Sequence, residues 1–274
     1  MSDHPKAADL ADPALRAELH AVAAELADAA RIATLRHFRG AALAAENKSV
    51  RGFDPVTAAD REAEAAMRAI LAARRPLDGI IGEEEGAVAS RSALTWVIDP
   101  VDGTRAFLAG APTWGVLIAL DAGAGPVLGI IDQPWTGERW LGGLGAAHME
   151  RGAGRVPLGV RRCEALAAAT LSTTFPEIGT AAERAAFEAV KARVRLTRYG
   201  LDCYAYALLA LGQIDLVIEA GLAPYDVQAP MAVIEAAGGI VTDWRGGPAQ
   251  AGGRVVAAGD PHLHEQALEI LSRA

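Results

Sequence analysis

Apolar residues near the start of the chain recur at Leu15, Leu19, Val22 and Leu26, the spacing of one helical face. Asp12-Pro13 ahead of them supplies a cap and a proline permitted in a first turn, so a long amphipathic helix is predicted from there to about Gly40. Glu46 to Pro55 lacks such a period and reads as a loop. Thr57-Ala58-Ala59-Asp60 has the form of a capping box, with Asp60 in place of the usual glutamate, and opens a second helix carrying Met67, Ile70 and Leu71. Gly79 to Gly82 is a very short strand. Leu94 to Ile98 is a second apolar run, and Pro100 and Gly103 should end it. Gly115 to Asp121, Pro126 to Asp132 and Glu138 to Gly142 are apolar segments parted by Gly/Pro turns, as in an antiparallel meander.

Gly152 to Pro157 is glycine-rich and basic, and it marks the expected boundary between an α+β half, residues 1–151, and an α/β half, residues 152–274. In the second half, helical stretches near Ala181 to Val194, Tyr204 to Leu211 and Val227 to Ala237 alternate with strands at Ala169 to Thr173, Arg195 to Tyr199, Asp215 to Glu219 and Gly239 to Thr242. Val255 to Ala258 reads as a last strand. Asp260-Pro261 caps a final helix with Leu263, Ala267 and Leu271 on one face.

Composition narrows the class. The 274 residues, 51% hydrophobic but only 5% aromatic, owe much of that apolar content to alanine, which suits a helix-rich, closely packed core. No run reaches membrane-spanning length, and Met1 to Ala7 has neither an apolar signal core nor an Arg-rich face, so a cytoplasmic location is expected. A net charge of −8 without a basic stripe argues against nucleic acid as partner. Cys163 and Cys203 lack metal-ligand spacing and are expected to be buried thiols. The six histidines all lie away from the acidic turns.

Those turns carry the chemistry. Asp99-Pro100-Val101-Asp102-Gly103-Thr104 closes an apolar run with two carboxylates three positions apart, which repel unless a cation lies between them; hard divalent ions such as Mg2+ take such oxygens. The Gly103 and Thr104 amides, if Thr104 opens a helix, would favour an anion beside the metal. Gly82-Glu83-Glu84-Glu85-Gly86 and Pro224-Tyr225-Asp226 also follow apolar runs, and three acidic turns suggest one shared metal site. Asp60 has two readings, a helix cap and a carboxylate aimed at that site.

The ordered set Asp54-Pro55-Val56-Thr57-Ala58-Ala59-Asp60, Gly82-Glu83-Glu84, Asp99 to Thr104, Pro224-Tyr225-Asp226 and Ala237-Gly238-Gly239 resembles the inositol monophosphatase family. The resemblance implies a layered α-β-α-β-α sandwich of the inositol monophosphatase / fructose-1,6-bisphosphatase type. It implies two or three Mg2+ ions held by Glu83, Asp99, the Val101 carbonyl, Asp102 and Asp226, and a water activated by Glu83 with the Thr104–Asp60 pair. Asp102, Gly103, Thr104 and Asp226 would then meet a phosphate monoester, hydrolysed in line without a phosphoenzyme. A haloacid-dehalogenase phosphatase is the mechanistic rival, but its Asp-x-Asp-x-Thr spacing differs from Asp99-x-x-Asp102.

Within the family, Arg105-Ala106-Phe107 and Tyr225 depart from the inositol phosphatases. Tyr199 to Tyr206 and Glu219 to Asp226 look like the histidinol-phosphatase branch. L-histidinol phosphate is the implied substrate, with Asp202 and Glu219 toward its alcohol; the competing reading makes Asp202 an N-cap for the helix after Cys203. A broader inositol- or sugar-phosphate phosphatase and a silent metal-binding interaction protein are the alternatives. A homodimer is expected from the family and from the prevalence of twofold assemblies.

Overall fold

The computed structural model describes residues 9–40, 45–47 and 55–274. Helix α1 (Pro13–His37) starts at the predicted cap, where the Asp12 carboxylate accepts from the Ala14 amide at 2.9 Å, and it buries Leu19, Val22 and Leu26. The stretch read as a loop from Glu46 to Pro55 instead contributes an antiparallel pair, β1 (Ala45–Asn47) and β2 (Pro55–Thr57). Strands of three residues are too short to leave a hydrophobic period. Asp54, and the Met1 to Ala7 stretch, lie outside the described residues.

Helix α2 (Ala58–Arg74) opens on the capping box: Thr57 Oγ accepts from the Ala59 amide at 3.1 Å, and Asp60 Oδ2 accepts from the Thr57 amide at 2.9 Å. Then come β3 (Gly79–Gly82), β4 (Ala87–Val88), β5 (Thr95–Asp102) and α3 (Thr104–Ala109). The expectation that Pro100 would end the strand is corrected, since β5 continues to Asp102. Its register against the next strand breaks between Asp99 and Asp102, a bulge that tolerates a proline without a ladder amide.

The meander follows as β6 (Gly115–Asp121), β7 (Pro126–Gln133) and β8 (Glu138–Gly143), extended by β9 (Ala146–Arg151) and β10 (Gly154–Pro157). These strands form one sheet in the order β10-β9-β8-β7-β6-β5-β3-β4. The boundary expected at 151/152 therefore cuts a hairpin, because β10 still pairs with β9, and the chain leaves this sheet only after Pro157. A second sheet, ordered β12-β11-β13-β15-β14, is built from β11 (Thr170–Thr173), α4 (Ala181–Lys191), β12 (Leu196–Tyr199), α5 (Tyr204–Ala210), β13 (Leu216–Leu222), α6 (Pro224–Ala236), β14 (Ile240–Asp243), β15 (Gly253–Ala258) and α7 (Pro261–Leu271). Every helix and strand predicted in this half is present, with α6 beginning three residues before Val227 at a first-turn proline.

Strand alternation sorts the side chains into layers. Trp96, Ile98, Val116, Ile118 and Leu120 face α1 and α2, whereas Val97, Leu117 and Ala119 face the opposite way onto α5 and α6. On the second sheet Val217, Val255 and Ala257 meet that same helical layer, while Leu216, Ile218, Val256 and Ala258 pack with α4 and α7. The result is a layered α-β-α-β-α sandwich. Close approach of α6 to the first sheet depends on two glycines: a Cβ on Gly129 would strike the Ala229 carbonyl, and one on Gly142 the Val233 backbone.

Candidate active site

Register brings the first two acids together. Strands β3 and β5 are parallel with Gly82 opposite Ile98, so Glu83 and Asp99 emerge side by side at the same end of the sheet. Glu83 shares a hydrogen bond with Asp99. The bulge frees the Val101 amide from the ladder, and it donates to Asp99 Oδ1 at 2.9 Å. Gly103 then takes a left-handed conformation, φ 83°, and starts α3 at Thr104, whose hydroxyl donates to the Val101 carbonyl at 3.2 Å. A side chain at 103 would also collide with Asp202, 2.7 Å from its Cγ.

The other half supplies Asp226 in the first turn of α6, where Oδ2 accepts from the Ala223 amide at 2.7 Å, and the Cys203 amide, which donates to Asp102 Oδ2 at 2.7 Å. Oxygens of Asp99, Asp102 and Asp226 lie within 4.8 Å of one another, and so do those of Asp60, Glu83 and Glu84. Glu83 links the two groups through Asp99. Among the described residues no Lys, Arg or His forms an ion pair with Asp99, Asp102 or Asp226.

The electrostatic consequence is severe. Burial, then repulsion from Glu83, Asp102 and Asp226, pushes Asp99 well above the usual carboxylate range. Burial followed by Asp202 and Asp226 does the same to Asp102 against the opposing Cys203 bond, and burial raises Asp226 to about 6. Oxygen-only donors that repel one another suit a hard divalent cation, which would offset that repulsion. Asp60 fits both of its readings, because the cap uses a single oxygen while the carboxylate still reaches Glu83 and Glu84.

A cleft of about 440 Å³ opens beside the acids, lined by Glu83, Asp102, Gly103, Thr104 and Asp226 and also by Arg105, Phe175, Asp202, Glu219 and Tyr225. Asp202 does not cap α5, whose first turn has no side-chain cap. Its backbone is left-handed, φ 47°, and its carboxylate accepts from Thr113 Oγ at 3.1 Å. Burial raises it to about 6 against the opposing influence of Thr113 and Arg105. The Arg105 guanidinium lies over the Phe175 ring at 4.8 Å. Glu219 accepts from the Thr174 amide at 2.6 Å and from Thr173 Oγ at 3.1 Å, and burial lifts it to about 7.

The residues assigned a metal, water-activating or substrate role from the sequence thus lie at or beside one cleft, while Gly238 lines a different cavity with Val160 and Arg161. The sequence reading missed Glu84 as a member of the first group, Thr113 and Arg105 as neighbours of Asp202, and Glu64 behind the acidic turn. Glu84 stood in the acidic turn and Arg105 in the segment that departs from the inositol phosphatases, whereas Glu64 left only a Glu64/Arg68 pair one helical turn apart. Cys163 and Cys203 are free and buried, as expected.

A sequence profile described as the inositol monophosphatase family matches residues 15–274. The chain is 44% identical over 228 residues to the chloroplastic bifunctional phosphatase IMPL2 of Arabidopsis thaliana, covering 79% of this chain and 65% of that longer protein. It is 34% identical over 226 residues to a histidinol-phosphatase of Chlorobaculum parvum, covering 82% and 85% of the two chains. Among solved structures, one reported for an inositol monophosphatase from Zymomonas mobilis superposes with a TM-score of 0.80 at 42% identity, covering 92% of this chain and 96% of its own.

Proposed function

The chain belongs to the inositol monophosphatase family and is a phosphoric monoester hydrolase, and from that premise we propose that it is Mg2+-dependent and hydrolyses L-histidinol phosphate to L-histidinol and phosphate. Glu83, Asp99, the Val101 carbonyl, Asp102 and Asp226 would hold two or three Mg2+ ions. When bound, these ions supply Lewis acidity at the phosphoryl group, the leaving alkoxide and the attacking water. Glu83 and the Thr104–Asp60 pair orient that water and accept its proton. The Gly103 and Thr104 amides, beside Asp102 and Asp226, hold the phosphate in line with the water. The assembly we favour is a homodimer in the cytoplasm.

The observation that carries the choice of substrate is Asp202: its carboxylate faces the cleft, held by Thr113, and leaves the helix behind it uncapped. A second carboxylate, Glu219, lines the same cleft. Two acids in the cleft beyond those given to the metals suit a leaving alcohol that carries an ammonium, whereas a neutral polyol gains little from them. The rival reading, an inositol-phosphate phosphatase, draws support from the likeness to the Zymomonas mobilis enzyme.

One comparison separates the two. A charge-assisted contact is worth roughly 1.5–3 kcal/mol, so Asp202→Asn should lower kcat/KM for L-histidinol phosphate by about one to two orders of magnitude. Turnover of glycerol 2-phosphate or inositol 1-phosphate should barely change. Equal losses on charged and neutral esters, or no loss on either, would return the protein to a general phosphomonoesterase.

A further inference from the structure

Behind the acidic turn lies a carboxylate that touches none of the acids assigned to the metals. Glu64, fully buried on α2, accepts from the Glu84 amide through Oε2 at 2.8 Å and from the Glu85 amide through Oε1 at 2.9 Å. Arg68, one turn further along the same helix, donates to Glu64 Oε1 through Nε at 2.8 Å and to the Gly86 carbonyl at 2.5 Å, and lies 3.6 Å from the Glu85 carboxylate. The turn is closed on itself by the Gly82 amide, which donates to the Gly86 carbonyl at 3.2 Å. At Gly82 the approach is so close that a Cβ would overlap the Glu64 carboxylate.

Geometry gives this arrangement a direction. Asp60 and Glu64 are four residues apart and share one face of α2. The first meets the Glu83 and Glu84 side chains, and the second grips the backbone that carries Glu84 and Glu85. A solvated turn of three glutamates beside Asp60 and Asp99 would otherwise swing its charges outward, since like charges repel.

We infer that Glu64, clamped by Arg68, is a positioning residue for the hydrolysis: it anchors the Gly82–Gly86 turn so that Glu83 and Glu84 are presented to the metal site. The inference rests on the metal-dependent reading above. Loss of the anchor raises the Mg2+ concentration the protein needs without touching the phosphate or alcohol contacts.

The test is Glu64→Gln in the full-length chain, which keeps the shape but replaces one acceptor oxygen with a donor facing the turn amides. Mg2+ binding is read by calorimetry and by the Mg2+-induced rise in Tm over EDTA, neither of which needs a substrate. The Mg2+ dissociation constant and the Mg2+ concentration for half-maximal activity should both rise about tenfold, while KM at saturating Mg2+ stays within twofold. A purely structural role would lower Tm in EDTA and leave the Mg2+ requirement alone. Arg68→Lys keeps a cation beside Glu64 but loses the fork to Gly86, so it should shift the requirement in the same direction by a smaller factor, and it decides the matter if Glu64→Gln does not fold. A parent protein that binds Mg2+ and variants that bind it within twofold as well overturn the role of Glu64 alone. A parent that binds no Mg2+ overturns the metal reading on which it rests.

Discussion

Two sets of carboxylates in this molecule, one buried and one buried only at Asp99, have opposite surroundings. Asp132, fully buried in the first sheet, lies between Arg31 at 2.6 Å and Arg139 at 2.6 Å, and Asp215 is gripped by both arms of Arg161 at 2.6 Å and by the Thr170 amide at 2.7 Å. Asp99, Asp102 and Asp226 have backbone donors and one another, but no described cation. The first arrangement is complete as folded. In the second, none of the described residues balances the charge, a contrast of the kind that separates a structural acid from one kept for a ligand.

The contrast breaks first at the metal site. Asp99→Asn and Glu83→Gln should each lower kcat by at least about three orders of magnitude, as expected when a carboxylate that holds the catalytic ions is removed. The fold should survive, and Tm in EDTA should hold or rise, because either change relieves repulsion. Near-normal turnover by either variant would show that these carboxylates are not ligands.

At the paired site the same chemical change should do the reverse. Asp132→Asn leaves two arginines facing an amide, and breaking a buried pair costs about 3–5 kcal/mol. Arg31 is 27% exposed and can turn to water, so about 2–4 kcal/mol is expected by urea unfolding, with kcat within twofold. A silent Asp132→Asn, or one that abolishes turnover, would dissolve the distinction.

A third expectation concerns pH. Glu219 has a folded-state pKa of about 7, above the ordinary glutamate value of 4.5. The folded form therefore holds the proton more tightly than the unfolded one. Its stabilising contribution is full below about 4.5 and is lost as pH rises through about 7, a change of roughly 2–4 kcal/mol. Asp226 and Asp202, each at about 6, tilt the curve the same way. In EDTA, Tm should fall between pH 5 and pH 8, and Glu219→Gln should flatten the slope. Mg2+ should remove the share owed to the clustered aspartates but leave that of Glu219. A Tm that rises over this range would contradict these environments.

What the sequence could reveal followed from how local the cause was. Helix caps, the meander and the acidic turns are set by neighbours in the chain, and the residues that carry them were legible. The β9–β10 hairpin was not, because its strands are only half-buried or exposed and have no apolar alternation. Pro100 reads as a terminator only when its bulge is out of view. For Asp202 the sequence left a substrate contact and a helix cap in competition, and only its left-handed backbone and its bond to Thr113, 89 positions away in the chain, remove the cap. Glu64 looks like half of a solvated helix pair, since no local signal tells that the turn twenty residues later folds back over it.

The helical layer of α5 and α6 belongs to neither sheet alone. Val227, Val233 and Ile234 of α6 share one core with Val97 and Leu117 of the first sheet and with Val217 and Val255 of the second. Each half of the chain, taken by itself, would have an open apolar flank, so each depends on the other to bury it. Asp226 rides on the first turn of that shared helix while Glu83 and Asp99 hang from the first sheet, so Asp226 joins the other acids only where α6 is packed on that sheet. The packing of one helical layer therefore decides whether the acidic cluster is complete.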